Sequence, residues 1–420
     1  MILKLNKNLP YQVLFALCVM VTYLNIYELT FVVWSFTAAV SVKRIYSLRI
    51  INYLLFFIAI LLIAFISALY REHSTYNYLR DVSYLLKPVL GLLVGYQLCR
   101  NYNIKPLHTI VYTGLVIALI HLVIIVYSII VYRILNIHQL RHYGGYFSDF
   151  EIYSLLVLIF SERFRLGFTK KYKMLLLSIL IVSSVLYVSR TNFLQLIILF
   201  MAMQGYFTIN RRSLTIMGSL VLFIILLYSV LFSMKFSRNG SGMEAFLFKV
   251  KNAPIEAFKT KVDKDDWQDF NDNYRSYETM ITRRQVGATP LGPWFGKGLG
   301  STIDLGKQVW SNDGEFIRYI PTLHNGYSTV YLKSGIAGVL LYMWFLFYLC
   351  KKQKTNNEFV KELNLFLLGT GVFLFLSSWV LLGLYLKIEN KSILIGFILC
   401  FREMVVKRDN IIANTNNEQP

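Results

Sequence analysis

The stretch TLHNGYSTVYLKSGIAG, Thr322 to Gly338, sets a histidine and an asparagine where a long polar segment turns back into an apolar run. Histidine titrates near neutral pH and can take a proton from a sugar hydroxyl as that oxygen attacks. A helix starting just after His324 and Asn325 would add free backbone N–H groups and a positive dipole, both suited to phosphate oxygens. The pair therefore fits a phosphate-activated donor meeting a hydroxyl acceptor, with a plain cap or surface role as the competing reading.

Three other places collect chemistry-bearing side chains. In SRTNFLQL, Arg190 interrupts two apolar runs. There it either snorkels to the membrane surface or fixes an anionic ligand just above the lipid, where partial desolvation strengthens a bidentate contact. In NYRSYE, Tyr274 precedes Arg275, and Arg275 and Glu278 are spaced to share a helical face. They suit an i,i+3 bridge worth a few tenths of a kcal/mol, or equally a ligand contact. HQLRHYGGYFSD offers His138, Arg141, His142, Tyr143, Tyr146 and Asp149, which suit carbohydrate better than metal. Arg71, His73, Arg80, Asp81 and Lys87 form a similar lip, and Lys87, beside Pro88 in an apolar run, must face a cavity or a partner.

No aspartate pair with metal-ligand spacing stands in a short motif near these residues, and the DKDD cluster at Asp263 to Asp266 lies in a highly polar stretch. The expected chemistry is metal-free and needs no cofactor, provided that the leaving group is already good. A lipid pyrophosphate is such a group, because arginine stabilises the charge that develops as it departs. GKG, Gly296 to Gly298, lacks the spacing of a phosphate loop. The glycine-rich PLGPWFGKGLGS must instead turn or lie close to something.

The elements that position these residues follow from composition. At 56% hydrophobic and 16% charged over 420 residues, the chain is too apolar for an ordinary soluble domain. Apolar runs of spanning length recur, and inside a bilayer helices satisfy the backbone between polar turns, so the expected fold is an all-α polytopic membrane bundle. Twelve helices are expected near 9–25, 27–42, 50–69, 82–98, 107–131, 147–161, 173–188, 191–208, 213–233, 326–350, 363–385 and 391–404. The first two, and the seventh and eighth, are joined so tightly that each pair could be one tilted or broken helix. The first apolar run has no small-residue cleavage pattern after it and reads as retained helix.

The net charge of +20 does not point to nucleic acid, because the basic residues cluster between apolar runs. Lys43, Arg44 and Arg49, Arg163 to Lys173, and Lys351 to Lys361 mark cytoplasmic segments, whereas the opposite short loops carry only Arg71, Arg80, Arg133, Arg141, Lys387 and Lys391. Both termini are thus expected inside. The resulting plan is residues 1–232 as helices one to nine, 233–325 as a large extracytoplasmic loop, 326–405 as helices ten to twelve, and 406–420 as a cytoplasmic tail. In the loop, DKDDWQDFNDNYRSYETMITRRQVG has an acidic start and later basic residues, the arrangement a helix dipole favours. Cys18, Cys99, Cys350 and Cys400 lie in or beside apolar runs and imply no disulfide framework.

The order SRTNFLQL, NYRSYE, PLGPWFGKGLGS and HNGYSTVYLKSGIAGVLLY, over about Tyr187 to Tyr348, resembles the shared region of the bacterial O-antigen ligase and Wzy-type polysaccharide polymerase superfamily. That resemblance implies a GT-C-type membrane glycosyltransferase of the inner membrane, acting at the periplasmic face on a glycan carried by undecaprenyl pyrophosphate. It implies that Arg190 and Arg275 bind the pyrophosphate and that His324 is essential, with Arg283, Arg284 and Arg318 as alternative loop arginines. Asn325, Tyr274, Glu278, Arg141 and Arg80 are further candidates for substrate contact. The chain departs from many relatives by carrying Lys333 and Ser334 before Gly335 where they have an acidic residue. A polymerase, assisted by membrane lipids and a chain-length regulator, is expected ahead of a ligase that uses lipid A-core. A transporter of an anionic or glycan substrate is the reading from a different class, and it would call for an inverted repeat that the sequence does not display.

Overall fold

A computed structural model describes residues 9–417, apart from 72–73, 102–104, 135–136, 146–147, 188, 209, 239, 241–243, 245–246, 249, 253, 255–258, 311–313 and 382. The side chains of residues 101, 137, 138, 141, 142 and 412–417 are also outside the description. The order is α1 (Leu9–Met20) with a 3-10 turn, α2 (Tyr27–Val40), α3 (Leu48–Ala68), α4 (Thr75–Asn101), α5 (Pro106–Tyr132), α6 (Ile137–Gly144), α7 (Asp149–Ile159), α8 (Lys170–Leu186), α9 (Arg190–Met203) and α10 (Arg211–Ser233). The polar segment then supplies α11 (Trp267–Asp272), α12 (Tyr274–Gly287), α13 (Gly292–Phe295), β1 (Ile303–Trp310) and β2 (Phe316–Ile320). Finally come α14 (Gly326–Cys350), α15 (Glu358–Val380) and α16 (Lys391–Asn417).

Among the described residues six helices, α3, α4, α5, α10, α14 and α15, are long and apolar enough to cross a membrane, and α1, α2 and α9 are apolar but shorter. The architecture is an all-α bundle of membrane type. Helix α10 buries almost none of its length inside the protein. Its apolar surface, like those of Phe36, Val123 and Trp344, is left for lipid to cover. Helix α7 is the opposite case, with ten of its eleven residues buried.

Helices α4 and α16 cross closely. A Cβ on Gly91 would meet the Ser392 hydroxyl at 2.0 Å, and one on Gly95 would meet the Ile393 carbonyl at 1.9 Å. This is the small-xxx-small contact that lets helices approach where water supplies no drive for their association. Helix α4 starts at Thr75 instead of near residue 82, and Asp81 in its second turn finds Lys333 and the Gly300 amide as partners. A hairpin, which the sequence reading did not anticipate, pairs Ile303 with Ile320 and Trp310 with Phe316 in antiparallel register. Its inward residues Ile303, Leu305 and Ile320 share a small core with Phe270, Tyr277, Val286, Leu323 and Leu332. Asp266 caps α11 by accepting from the Gln268 and Asp269 amides, and Arg284 stands in the last turn of α12, so the anticipated dipole arrangement is present.

Helix α14 is broken at Gly335, which adopts φ 63° and ψ −162°. The break removes the intrahelical donors for the carbonyls of Leu332 and Lys333, and buried carbonyls need replacements. The GKG segment provides them: the Lys297 amide donates to Leu332 O at 2.7 Å and the Gly298 amide to Lys333 O at 3.1 Å. A Cβ on Gly335 would lie 2.3 Å from the Trp294 carbonyl carbon, and one on Gly296 2.5 Å from that of Lys333. These contacts are what the glycines are for.

Lys333 lies on this break, with its side chain 2% exposed, and meets the fully buried Asp81 of α4 at 2.5 Å. It also donates to Ser301 O at 2.5 Å, while the Gly300 amide donates to the same Asp81 oxygen at 2.7 Å. One ion pair thus ties together α4, the glycine loop and α14. Asp81→Leu or Lys333→Met alone should destabilise the purified protein by about 3 to 5 kcal/mol, because each leaves an uncompensated buried charge. The double substitution should recover much of that loss, as read by unfolding in detergent micelles; equal stability of all three variants would remove the pair's structural role.

Candidate functional site

The site is built where α12 lies against the start of α14. Asn325 caps α14 by accepting from the Ser328 amide at 3.0 Å. Thr329 Oγ accepts from the Leu323 amide at 3.0 Å. These contacts fix the backbone on both sides of His324. Asn325, a candidate for substrate contact in the sequence, therefore spends its side-chain oxygen on the helix start and is buried there.

Glu278 of α12 holds the histidine at two points. The His324 backbone N–H donates to Glu278 Oε2 at 3.0 Å, and the ring Nδ1 lies 3.0 and 3.1 Å from the two carboxylate oxygens. The Glu278 side chain is 3% exposed and that of His324 is 53% exposed. The carboxylate is thus committed to orienting the ring, and the other ring nitrogen, Nε2, is the one left for outside chemistry. A carboxylate on Nδ1 favours the tautomer in which Nε2 is an acceptor and stabilises an imidazolium if one forms. The ring of Tyr274 stands edge-on to His324 at 5.6 Å. Burial first, and then the neighbouring Glu278 charge, hold the Tyr274 phenol well above its ordinary pKa, so it keeps its proton.

The sequence treats Glu278 as a substrate contact or as an i,i+3 partner of Arg275. In the structure it touches His324. Arg275, one turn earlier on α12, is half-buried, whereas Arg283 and Arg284 further along the helix are exposed. Arg318 is engaged elsewhere: its Nε and Nη2 clamp Asp304 across the hairpin at 2.7 and 2.8 Å. Hydrogen bonding to Arg318 is the main cause that lowers the Asp304 carboxyl.

Arg190 is exposed at the first turn of α9, beside the Ser189 cap that accepts from the Asn192 amide. Helix α9 is held by two buried amides, Asn192 donating to Ser148 O at 3.1 Å and Gln195 to Asp149 O at 3.0 Å. At its far end, Arg163 donates to Met203 O at 2.7 Å and lies 3.7 Å from Glu362 near the start of α15. Helices α9 and α15 therefore run antiparallel, which sets Arg190 level with the end of α15. That end meets His324's helix directly, since the Gly326 amide donates to Leu381 O at 3.1 Å. Arg190, Arg275 and His324 accordingly share one end of the bundle.

Of the remaining candidates, Arg80 is half-buried beside Asp81, its Nη2 3.6 Å from a carboxylate oxygen. The side chains of Arg141, His138 and His142, and all of His73 and Tyr146, lie outside the described residues. Asp149 is no open carbohydrate contact: it is buried in an ion pair with Lys391 at the start of α16. Lys87 donates to the carbonyls of Leu386 and Lys387 at 2.8 and 2.6 Å, so its intramembrane charge is partnered. The sequence reading missed Asn192 and Gln195, although two amides three residues apart in an apolar run are a visible signal of interhelical hydrogen bonding.

Removing the Glu278 carboxylate breaks charge-assisted hydrogen bonds to a partly buried partner. Glu278→Ala should therefore cost about 1.5 to 3 kcal/mol of stability. Arg283→Ala and Arg284→Ala, on the exposed face, should stay within about 0.5 kcal/mol. Unfolding of the three purified variants checks this ordering. No protein-family model matches the chain, and it has no significant match among curated proteins.

Proposed function

We propose that the protein is a membrane glycosyltransferase that polymerises oligosaccharide repeats carried on undecaprenyl pyrophosphate, at the outer face of a bacterial inner membrane. The observation that carries this reading is His324, oriented through Nδ1 by a buried carboxylate with Arg190 and Arg275 at the same end of the bundle. In the topology proposed with it, twelve crossings leave both termini in the cytoplasm and residues 233–325 outside, so that this end is the outer one.

In the proposed step, an acceptor hydroxyl loses its proton to His324 Nε2 as its oxygen attacks the anomeric carbon of the donor glycan. The bond from that carbon to the pyrophosphate oxygen breaks, and the electron pair leaves with undecaprenyl pyrophosphate. Attack from the face opposite the leaving group inverts the anomeric carbon. Arg190 and Arg275 offset the charge appearing on the departing phosphate. Glu278 stabilises the imidazolium without taking its proton. Because the leaving group is already activated, neither ATP nor a metal is required to make it depart.

Single substitutions Arg190→Ala, Arg275→Ala and His324→Ala should each lower transfer by roughly 10²-fold or more in membranes containing equal amounts of protein. Glu278→Gln should lower kcat with little change in KM, since it acts on the base and not on binding. Chelation with EDTA should leave the wild-type rate unchanged. Full transfer by all three alanine variants would sink the reading. The ligase alternative separates in a null strain: loss of a polymerase leaves one repeat unit on the lipid A-core, and loss of a ligase leaves none.

A further inference from the structure

A second basic cluster lies away from His324, around the break in α14. Arg71 follows α3, Arg80 stands on the second turn of α4, Lys297 is the central residue of the GKG segment, and Lys333 is on α14 itself. Their one acidic partner in the described contacts is Asp81, which takes Lys333 and the Gly300 amide on one oxygen and faces Arg80 Nη2 at 3.6 Å with the other. Lys333 and Arg80 thus face one carboxylate, Lys297 lies near Lys333 and Arg71 near Lys297, so the cluster holds four basic side chains and one acidic one. Arg71 donates to Gly296 O at 3.3 Å and Lys297 to Thr302 O at 3.2 Å, so backbone carbonyls aim both side chains without neutralising them.

Two further observations separate this cluster from an ordinary solvated basic patch. Arg80 Nε and Nη2 are buried and have no hydrogen-bond partner. Buried guanidinium N–H groups left unsatisfied are costly, and they recur where a planar or tetrahedral oxyanion completes them. Burial, and then the nearby Arg71 charge, push the Lys297 ammonium below its ordinary pKa, and burial lowers Arg71 as well. An anion seated among them would relieve both effects.

We propose that Arg71, Arg80 and Lys297 form a second anion subsite that takes the pyrophosphate of a lipid-linked glycan. Resting on the polymerase reading, this subsite holds the acceptor, whereas Arg190 and Arg275 hold the donor. An acceptor reacts through a hydroxyl on its glycan and keeps its own pyrophosphate away from the reacting carbon. Lys333 stands seven residues into α14 from Gly326, about 10 Å at 1.5 Å per residue from the helix start that His324 precedes, which gives the two phosphate groups separate places. The GKG segment then has two tasks: its backbone closes the broken helix, and its lysine faces the anion.

The test is binding stoichiometry of the purified full chain in lipid nanodiscs, with farnesyl pyrophosphate as probe, farnesol as the neutral control and inorganic pyrophosphate as competitor. The wild type should bind two pyrophosphate probes. Arg80→Gln combined with Lys297→Gln should weaken one of them at least tenfold and leave farnesol binding unchanged. Arg80→Lys with Lys297→Arg, which preserves the charge, should retain both and shows that loss in the neutral pair is not misfolding. Displacement by inorganic pyrophosphate identifies a site that reads the anion alone, and lack of displacement identifies one that needs the lipid as well; either outcome supports the subsite. Unchanged stoichiometry and affinity in the neutral pair would overturn it. If the wild type binds a single probe that the neutral pair loses while Arg190→Gln does not, the subsite stands and the polymerase reading falls.

Discussion

The buried ion pair between Asp81 and Lys333 is the constraint on which the rest of the molecule depends. Opposite charges sealed from water are costly to separate, so wherever this pair forms, α4, the glycine loop and α14 must meet. The break at Gly335 opens two carbonyls to which the loop amides attach, which fixes the register of everything between α13 and the hairpin. The hairpin and α12 then share a small core with Leu332 of the same helix. Glu278 arrives beside His324 because α12 is held there. The histidine's geometry is therefore set partly by an ion pair that makes no contact with it.

A similar logic holds at the other side of the bundle. Lys391 and Asp149 pair in the interior, Lys87 donates to two carbonyls, and Asn192 and Gln195 donate to the backbone at the start of α7. Each of these contacts joins helices that lack a hydrophobic drive to associate in lipid. Together they place the first turn of α9, and so Arg190, level with the end of α15. Buried polar contacts here serve position more than net stability, since the desolvation of each charge consumes much of what its partner returns.

Much of this was legible in the sequence. Residues 326–350 read as a helix and form one with the same bounds, and the acidic-to-basic run in the polar segment gives α11 and α12. Apolar length and turn chemistry are local properties, and so they can be read from a window. Lys333 could not be placed that way, because its partner is 252 residues distant. The early start of α4 is hidden for the same reason: Asp81 looks like a loop residue until Lys333 and the Gly300 amide that pair with it are present. The hairpin was missed because its strands alternate weakly and bury one face on a core supplied by α11, α12 and α14. The helical spacing of Arg275 and Glu278 is visible in sequence, whereas the start of α14 coming down on the Glu278 carboxylate is not.

We propose that this end of the bundle moves a glycan from one lipid pyrophosphate to another acceptor. Purified protein given defined undecaprenyl-pyrophosphate-linked repeats, with and without a lipid A-core acceptor, tests it most directly. The account predicts a ladder of lipid-linked products with inverted anomeric linkage, formed without the lipid A-core, without ATP and in the presence of EDTA. Transfer that appears only when lipid A-core is supplied would assign the ligase reaction, and no transfer to either acceptor would contradict the account.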